Sequence, residues 1–183
     1  MMENENGAAE SCCELLTQGL AVIEGLTADQ YYCAETEGRS CPGAHFRHVL
    51  DYYDCFFRGI GTGSIDYAQR VRRSEVEHDR QAGVAEMRRI IEALEKLGPD
   101  DLDLTLKVRS DSGESWCGST LARELRFIAG HTVHHYALIQ MILERAGIET
   151  DADYGVSRST QIHRAAPDTS DLPVDEDVLR SAR

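Results

Sequence analysis

Apolar residues recur at helical spacing along four stretches of the chain. From about Ala9 to Leu26 they fall at Leu15, Leu16, Leu20, Ile23 and Leu26, and Thr27-Ala28-Asp29 then reads as a cap or restart. Pro42 suits the first turn of a second helix running to about Ile60, with Gly59, Gly61 and Gly63 as its stop. Its Phe46, Val49, Leu50, Tyr52, Tyr53, Phe56 and Phe57 occupy more than one face, which puts this helix at the centre of the fold. A third helix is predicted from Asp79 to Leu97, apolar at Val84, Met87, Ile90, Ile91 and Leu94 and closed by Gly98-Pro99. Ser119 or Thr120 caps a fourth that continues to about Ala146 and ends at Gly147. Leu121, Leu125, Ile128, Leu138, Ile142 and Ala146 read as its apolar stripe.

Between the third and fourth helices the period changes to two. Leu102 to Val108 alternates, and Glu114-Ser115-Trp116-Cys117 follows after polar residues and Gly113, which predicts a short β-hairpin. The expectation is an all-α protein, a four-helix bundle with that hairpin between helices 3 and 4, forming one domain over residues 1–164. Residues 165–183 are expected to be a flexible tail on composition.

Composition narrows the function. At 183 residues, 42% hydrophobic and 28% charged, the chain has the make-up of a soluble globular domain. The net charge of −13 argues against a nucleic-acid partner, because binding by counterion release needs a basic surface. No apolar run approaches the roughly 18–20 residues of a membrane span, and Met1 to Glu10 lacks an export signal, so a cytoplasmic protein is expected. The six cysteines, at 12, 13, 33, 41, 55 and 117, form no CxxC pair and are read as reduced thiols. Cys55, in an aromatic stretch, is read as a small buried hydrophobe; the separation of Cys33 and Cys41 does not by itself pair them.

Chemistry concentrates in histidines. His131 and His135 are four residues apart on the fourth helix, so their side chains point to nearly the same side one turn apart, a spacing that lets two imidazoles share one metal ion. Placed beside an apolar stripe, both need partners to offset desolvation. The second helix offers His45 and His48, either of which suits the third position, His48 being preferred. Three histidines leave coordination positions for water or substrate, as in catalytic rather than closed structural sites. The plainer alternative is a set of satisfied core or rim histidines, and His134, pointing away from the pair, is read that way.

Two carboxylates are candidate proton acceptors. Asp51 lies one turn beyond His48 and Glu124 seven residues before His131; each equally suits orienting a ligand or a salt bridge. The arginines of Ile65 to Arg73 suit a substrate carboxylate or phosphate, or ion pairs with this acidic chain. There is no GxSxG elbow, phosphate-binding glycine loop or dinucleotide motif, and Ile128 and Thr132 stand where a di-iron bundle would place glutamates.

At these residues the chain resembles the DinB/YfiT-like superfamily of metal-binding helical proteins. The resemblance covers about Ala9 to Arg164 and is carried by Gly43-Ala44-His45-Phe46-Arg47-His48-Val49-Leu50-Asp51 and Gly130-His131-Thr132-Val133-His134-His135. Asp66-Tyr67, Arg123-Glu124-Leu125 and Gly155 to Thr160 add to it. It implies an up-down-down-up bundle, often a homodimer, with zinc or nickel held by His48, His131 and His135. It also implies a small-molecule substrate and, among characterised relatives, thiol-dependent transferases and isomerases that use low-molecular-weight thiols. Where many relatives follow the double histidine with Gly-Gln, this chain has Ala137-Leu138. The leading expectation is a metal-dependent thiol transferase or hydrolase. The alternative is a non-catalytic bundle, metal-braced or metal-free, acting through dimerisation or protein partners.

Overall fold

Among the described residues, five of the seven helices trace back to capping or packing chemistry in the sequence. The structure, a computed structural model, describes residues 7–32, 41–113 and 115–165. Helix α1, Gly7–Gly25, buries Ala8, Cys12, Leu16, Gly19 and Ile23 at steps of three and four. Thr27 then restarts the chain as α2, Ala28–Tyr31: its side chain accepts from Gln30 N, while Gln30 Oε1 accepts from Thr27 N at 2.8 Å. Helix α3, Pro42–Ile60, has Pro42 in its first turn and the span that its apolar pattern predicts.

Gly59 does not stop α3. It lies inside the helix, where a Cβ would stand 2.5 Å from Ile65 Cγ1 and 2.8 Å from Ser64 O, so its bareness lets the next strand cross the helix. That strand, β1 (Ser64–Asp66), lies outside the expected hairpin; three residues are too few to show a period. It pairs in parallel with β2 (Thr105–Arg109), which pairs antiparallel with β3 (Cys117–Thr120), giving a sheet of order β1-β2-β3. The hairpin therefore exists, shifted toward the C terminus. Pro99–Asp101 forms a 3-10 turn, with Gly98 N donating to Asp101 Oδ2 at 2.9 Å, and this delays the extended chain past Leu102.

The expected third helix forms as one, and a short helix outside its predicted span precedes it. Asp79 ends the short α4 (Ser74–His78) and caps α5 (Arg80–Leu94), its carboxylate accepting from Gln81 N at 2.8 Å. Helix α6, Leu121–Arg145, starts on Thr120, whose side chain accepts from Arg123 N. Its buried stripe runs through Leu121, Leu125, Ile128, Thr132, Tyr136, Ile139 and Leu143. Leu138, Ile142 and Ala146 do not join it, because ten residues from Ile128 to Leu138 leave the face by about 80° at 100° per residue. After Gly147, at φ 72°, the chain returns over α6: a Cβ on Gly155 would meet Ala137 N at 2.6 Å. Helix α7, Arg158–Ala165, ends the described chain. The expected tail beyond Ala165 and the Cys33 side of any Cys33–Cys41 pairing lie outside the described residues.

The protein is mostly helical with a small three-stranded sheet. Helix α1 packs on α5 and α6, and α3 on the same two helices. Cys12 donates to Leu125 O and Gly19 lies against Tyr136, so α1 and α6 advance together. His45 meets His135 while Tyr52 meets Phe127, so α3 opposes α6. Between them sit fully buried Phe46, Tyr53, Phe56, Tyr136 and Met87, each apolar side chain contributing about 1.5–3 kcal/mol on burial. Cys55 is buried, and its thiol donates to Asp66 O at 3.2 Å. No helix among the described residues is long and apolar enough to cross a membrane.

Candidate metal centre

Two opposed helices bring the histidines together. On α3, His45, His48 and Tyr52 follow one another at steps of three and four; on α6, Phe127, His131 and His135 do so at steps of four. Crossing in opposite directions sets His48 between the other two, with ring centroids 5.0 Å from His131 and 4.6 Å from His135. His131 and His135 are 4.5 Å apart. One nitrogen from each of His48, His131 and His135 lies within 4.8 Å of the others, and among the described residues no other such group of His, Cys, Asp and Glu forms. A tetrahedron with Zn–N bonds of about 2.1 Å has edges of about 3.4 Å, inside the 4.8 Å limit that the three nitrogens meet.

The donor chemistry fits a divalent cation. Burial, followed by the charges of neighbouring histidines and arginines, lowers His48 and His131 to about 4 and His135 to about 3, so all three are neutral near pH 7, the form that ligates. His131 Nε2 is buried without a hydrogen-bond partner. The three rings flank the buried stripe of α6 and are part-exposed, which keeps them within reach of solvent.

His45 belongs to the next layer. Its Nδ1 stands 2.9 Å from His135 Nδ1. With the shared proton on His135 Nδ1, His45 Nδ1 accepts it and His135 Nε2 keeps the free lone pair that a metal ligand needs. Burial also lowers His45 below its ordinary value. His134 is exposed, its ring 5.2 Å from that of His135, and is not part of the cluster.

An aromatic wall closes one side. Tyr52 lies 4.2 Å from the His131 ring, donates to Asp111 Oδ2 at 3.0 Å and carries the Arg70 guanidinium 4.3 Å from its centroid. Arg70 Nη1 donates to Tyr67 O, and the Tyr67 ring stacks on Tyr52 at 5.1 Å. Tyr52 was legible as the residue one turn after His48. Tyr67 and Arg70 reach the site from the turn that follows β1, and Asp111 from the β2–β3 connection, placements that no local spacing reveals.

The two candidate carboxylates sit apart from the nitrogen cluster. Asp51, 1% exposed, accepts from Arg47 Nη1 at 2.9 Å and from Arg73 Nε at 3.4 Å. Burial pushes its carboxyl above the ordinary value against the pull of both arginines. Arg73 also pairs with Glu86, so the ion-pair reading of that arginine holds, while Arg70 borders the histidines. Glu124, fully buried, accepts from Tyr67 OH at 3.1 Å, Ser119 Oγ at 2.5 Å and Arg123 Nη1 at 2.7 Å. It touches the site through the Tyr67–Tyr52 stack.

Sequence comparison agrees with this geometry. The profile of the DinB superfamily matches residues 17–139, a span that includes all three histidines. A protein named FK506-binding protein 5, from Rhizopus delemar, is 30% identical over 104 residues, which make up 54% of this chain and 27% of that protein. The chain thus spans about a quarter of the length of this curated relative. On the profile match, the chain belongs to the DinB superfamily.

Proposed function

We propose that this DinB-superfamily chain holds one zinc or nickel ion through His48, His131 and His135 and acts as a metal-dependent enzyme, a thiol-dependent transferase or a hydrolase. The observation that carries the reading is the convergence of three neutral imidazoles, one with an orphaned buried nitrogen, on two opposed helices. Imidazole donors suit both metals. The contacts of α1, α3, α5 and α6 support an up-down-down-up four-helix bundle around the site, in a single domain over residues 1–164.

A divalent ion in this position supplies Lewis-acid activation of a water or thiol. The chain's own residues then hold, orient and screen. His45 fixes the His135 tautomer, Tyr52 bars water from one flank of His131, and Arg70 places a cation at the rim for an anionic substrate group. Both oxygens of Asp51 face guanidinium groups, and Glu124 is shared among three donors, which favours positioning roles over proton abstraction.

Metal analysis of untagged protein tests this. Wild type is expected to carry about one zinc or nickel ion per chain, lost in His48→Ala, His131→Ala and His135→Ala. Thiol-transfer and hydrolysis substrates are then screened on the loaded protein. Absence of metal on purification and on titration defeats the reading.

A further inference from the structure

Away from the histidines, between α1, the end of α6 and the chain that follows it, lies a cavity of about 690 Å³. That is within the range of small-molecule sites, about 300–1,000 Å³. Buried Leu26 and Leu143, with Val22 and Ile148, give it an apolar wall.

Three of its polar atoms lack partners. Gln18 Oε1, Thr150 Oγ1 and the Tyr154 hydroxyl are each buried with no hydrogen bond, and all three residues line this one cavity. Tyr154 is 1% exposed, and its ring is stacked at 4.8 Å on Tyr136, whose hydroxyl is orphaned too. Buried polar atoms are rarely left unpaired, and a cluster of them on one cavity points to a ligand that pairs them. The charged side chains on the lining, Glu149, Asp151 and Asp153, are all acidic and exposed. Asp151 accepts from Asp153 N, and Arg164 comes within 4.0 Å of Asp153. Gln161, also on the lining, has its amide donor turned to Asp153 O and Val156 O. The Gln18 oxygen only accepts and the two hydroxyls can accept as well as donate, so all three can receive hydrogen bonds from one donor, and the acidic lining favours a donor that carries positive charge.

We propose that this cavity is a second binding site, independent of the histidines, for a small primary amine carried on an apolar body. The ammonium supplies hydrogen bonds to Gln18 Oε1 and to the hydroxyls of Thr150 and Tyr154, and the apolar body lies along Val22, Leu26 and Leu143.

The test is calorimetric titration of the full chain with 2-phenylethylamine, with 2-phenylethanol and 3-phenylpropionate as neutral and anionic probes, with and without chelator. The amine is expected to bind saturably and more tightly than the alcohol, and the carboxylate not to bind. Tyr154→Phe and Gln18→Leu should each weaken the amine by about three- to tenfold, whereas His135→Ala and chelator leave it unchanged. Tyr154→Phe keeps the stacked ring and removes only an unpartnered hydroxyl, so its thermal midpoint should equal or exceed that of wild type and separates lost binding from lost folding. Absence of saturable binding at millimolar amine, equal or better binding of the alcohol or carboxylate, or undiminished binding in both variants overturns the proposal.

Discussion

Substitution of the four clustered or adjacent histidines should grade metal affinity by layer. In the proposed site His135 supplies a ligand nitrogen and at the same time meets His45 at 2.9 Å, so these two adjacent histidines have different roles. Removing His135 leaves His48 and His131, two donors on different helices. Removing His45 leaves all three ligands but frees the His135 ring to take the tautomer with hydrogen on Nε2. Loss of such an orienting partner typically lowers metal affinity by about 10–100-fold, or about 1.4–2.7 kcal/mol, whereas loss of a ligand should exceed that. His134, exposed and outside the cluster, should change affinity by less than about threefold, the scale of an exposed charge effect. Competition of each alanine variant with a chromophoric zinc chelator at pH 7.5 gives the order His135→Ala, then His45→Ala, then His134→Ala, from largest to smallest loss. A loss for His45→Ala equal to that for His135→Ala would make His45 a ligand. An equal loss for His134→Ala would refute the layered assignment altogether.

Three further outcomes follow from the packing and the charges. Gly19→Ala should destabilise by about 1–3 kcal/mol, because its Cβ would stand 2.0 Å from the buried Tyr136 oxygen; the same change at Gly130, with nothing within 4 Å, should stabilise by about 0.5–1 kcal/mol. Urea midpoints for the pair should therefore move in opposite directions, and a stabilised Gly19→Ala would sink the packing argument. In metal-free protein the unfolded chain gains protons on His48, His131 and His135 below their ordinary value of 6.5, while the folded chain resists until about 4, 4 and 3. Stability held above pH 6.5 is thus lost as the pH falls toward 4, on the order of 1 kcal/mol per histidine after solvent screening. His135→Gln should lose less than wild type between pH 7.5 and 5 in chelator-containing urea titrations, and equal losses would count against the buried neutral form. Asp51→Asn should cost about 1–3 kcal/mol by removing one of the two carboxylate partners of Arg47 and of Arg73, which keep Glu77 and Glu86, yet leave metal content unchanged; a parallel fall in metal would restore it as a ligand-orienting group.

What was legible in the sequence was local. The α3 span could be read from Pro42 and its apolar run, and the His131–His135 pair from the four-residue repeat of one helix. The choice between His45 and His48 was not local, since it depends on how α3 crosses α6: both face that helix, but His48 reaches both members of the pair while His45 reaches His135. The α6 stripe was misplaced beyond Ile128 because apolar side chains at Leu138 and Ile142 outweighed angular bookkeeping, and Thr132 and Tyr136 hold the core positions instead. Strand β1 was invisible because its partner strand lies some forty residues on, Ser64 pairing with Lys107, so the residues of that stretch could be singled out by type while the placing of Tyr67 and Arg70 beside the histidines could not be read. The wall of the site thus rests on a long-range pairing that no short window contains.

The electrostatic frame of the histidines bears on which chemistry they suit. Three neutral nitrogens bring no negative charge to a dication, and the two candidate carboxylates are turned elsewhere: Asp51 to Arg47 and Arg73, Glu124 to Arg123, Ser119 and Tyr67. Arg70 and Arg47 add positive potential, which is part of why His48 titrates low. In such a frame a fourth partner gains most if it is an anion, because it meets both the ion and the arginines in a medium that screens them weakly. A thiolate meets that requirement and is the softer donor, matched to zinc or nickel, whereas a neutral water must first lose a proton, for which Asp111, held beside His131 through Tyr52, is the candidate acceptor. The charge distribution therefore supports an anionic fourth partner at the proposed site, a thiolate among them, and Asp111→Asn separates the two proposed reactions: it should slow a hydrolysis that uses this carboxylate and leave thiol transfer unchanged.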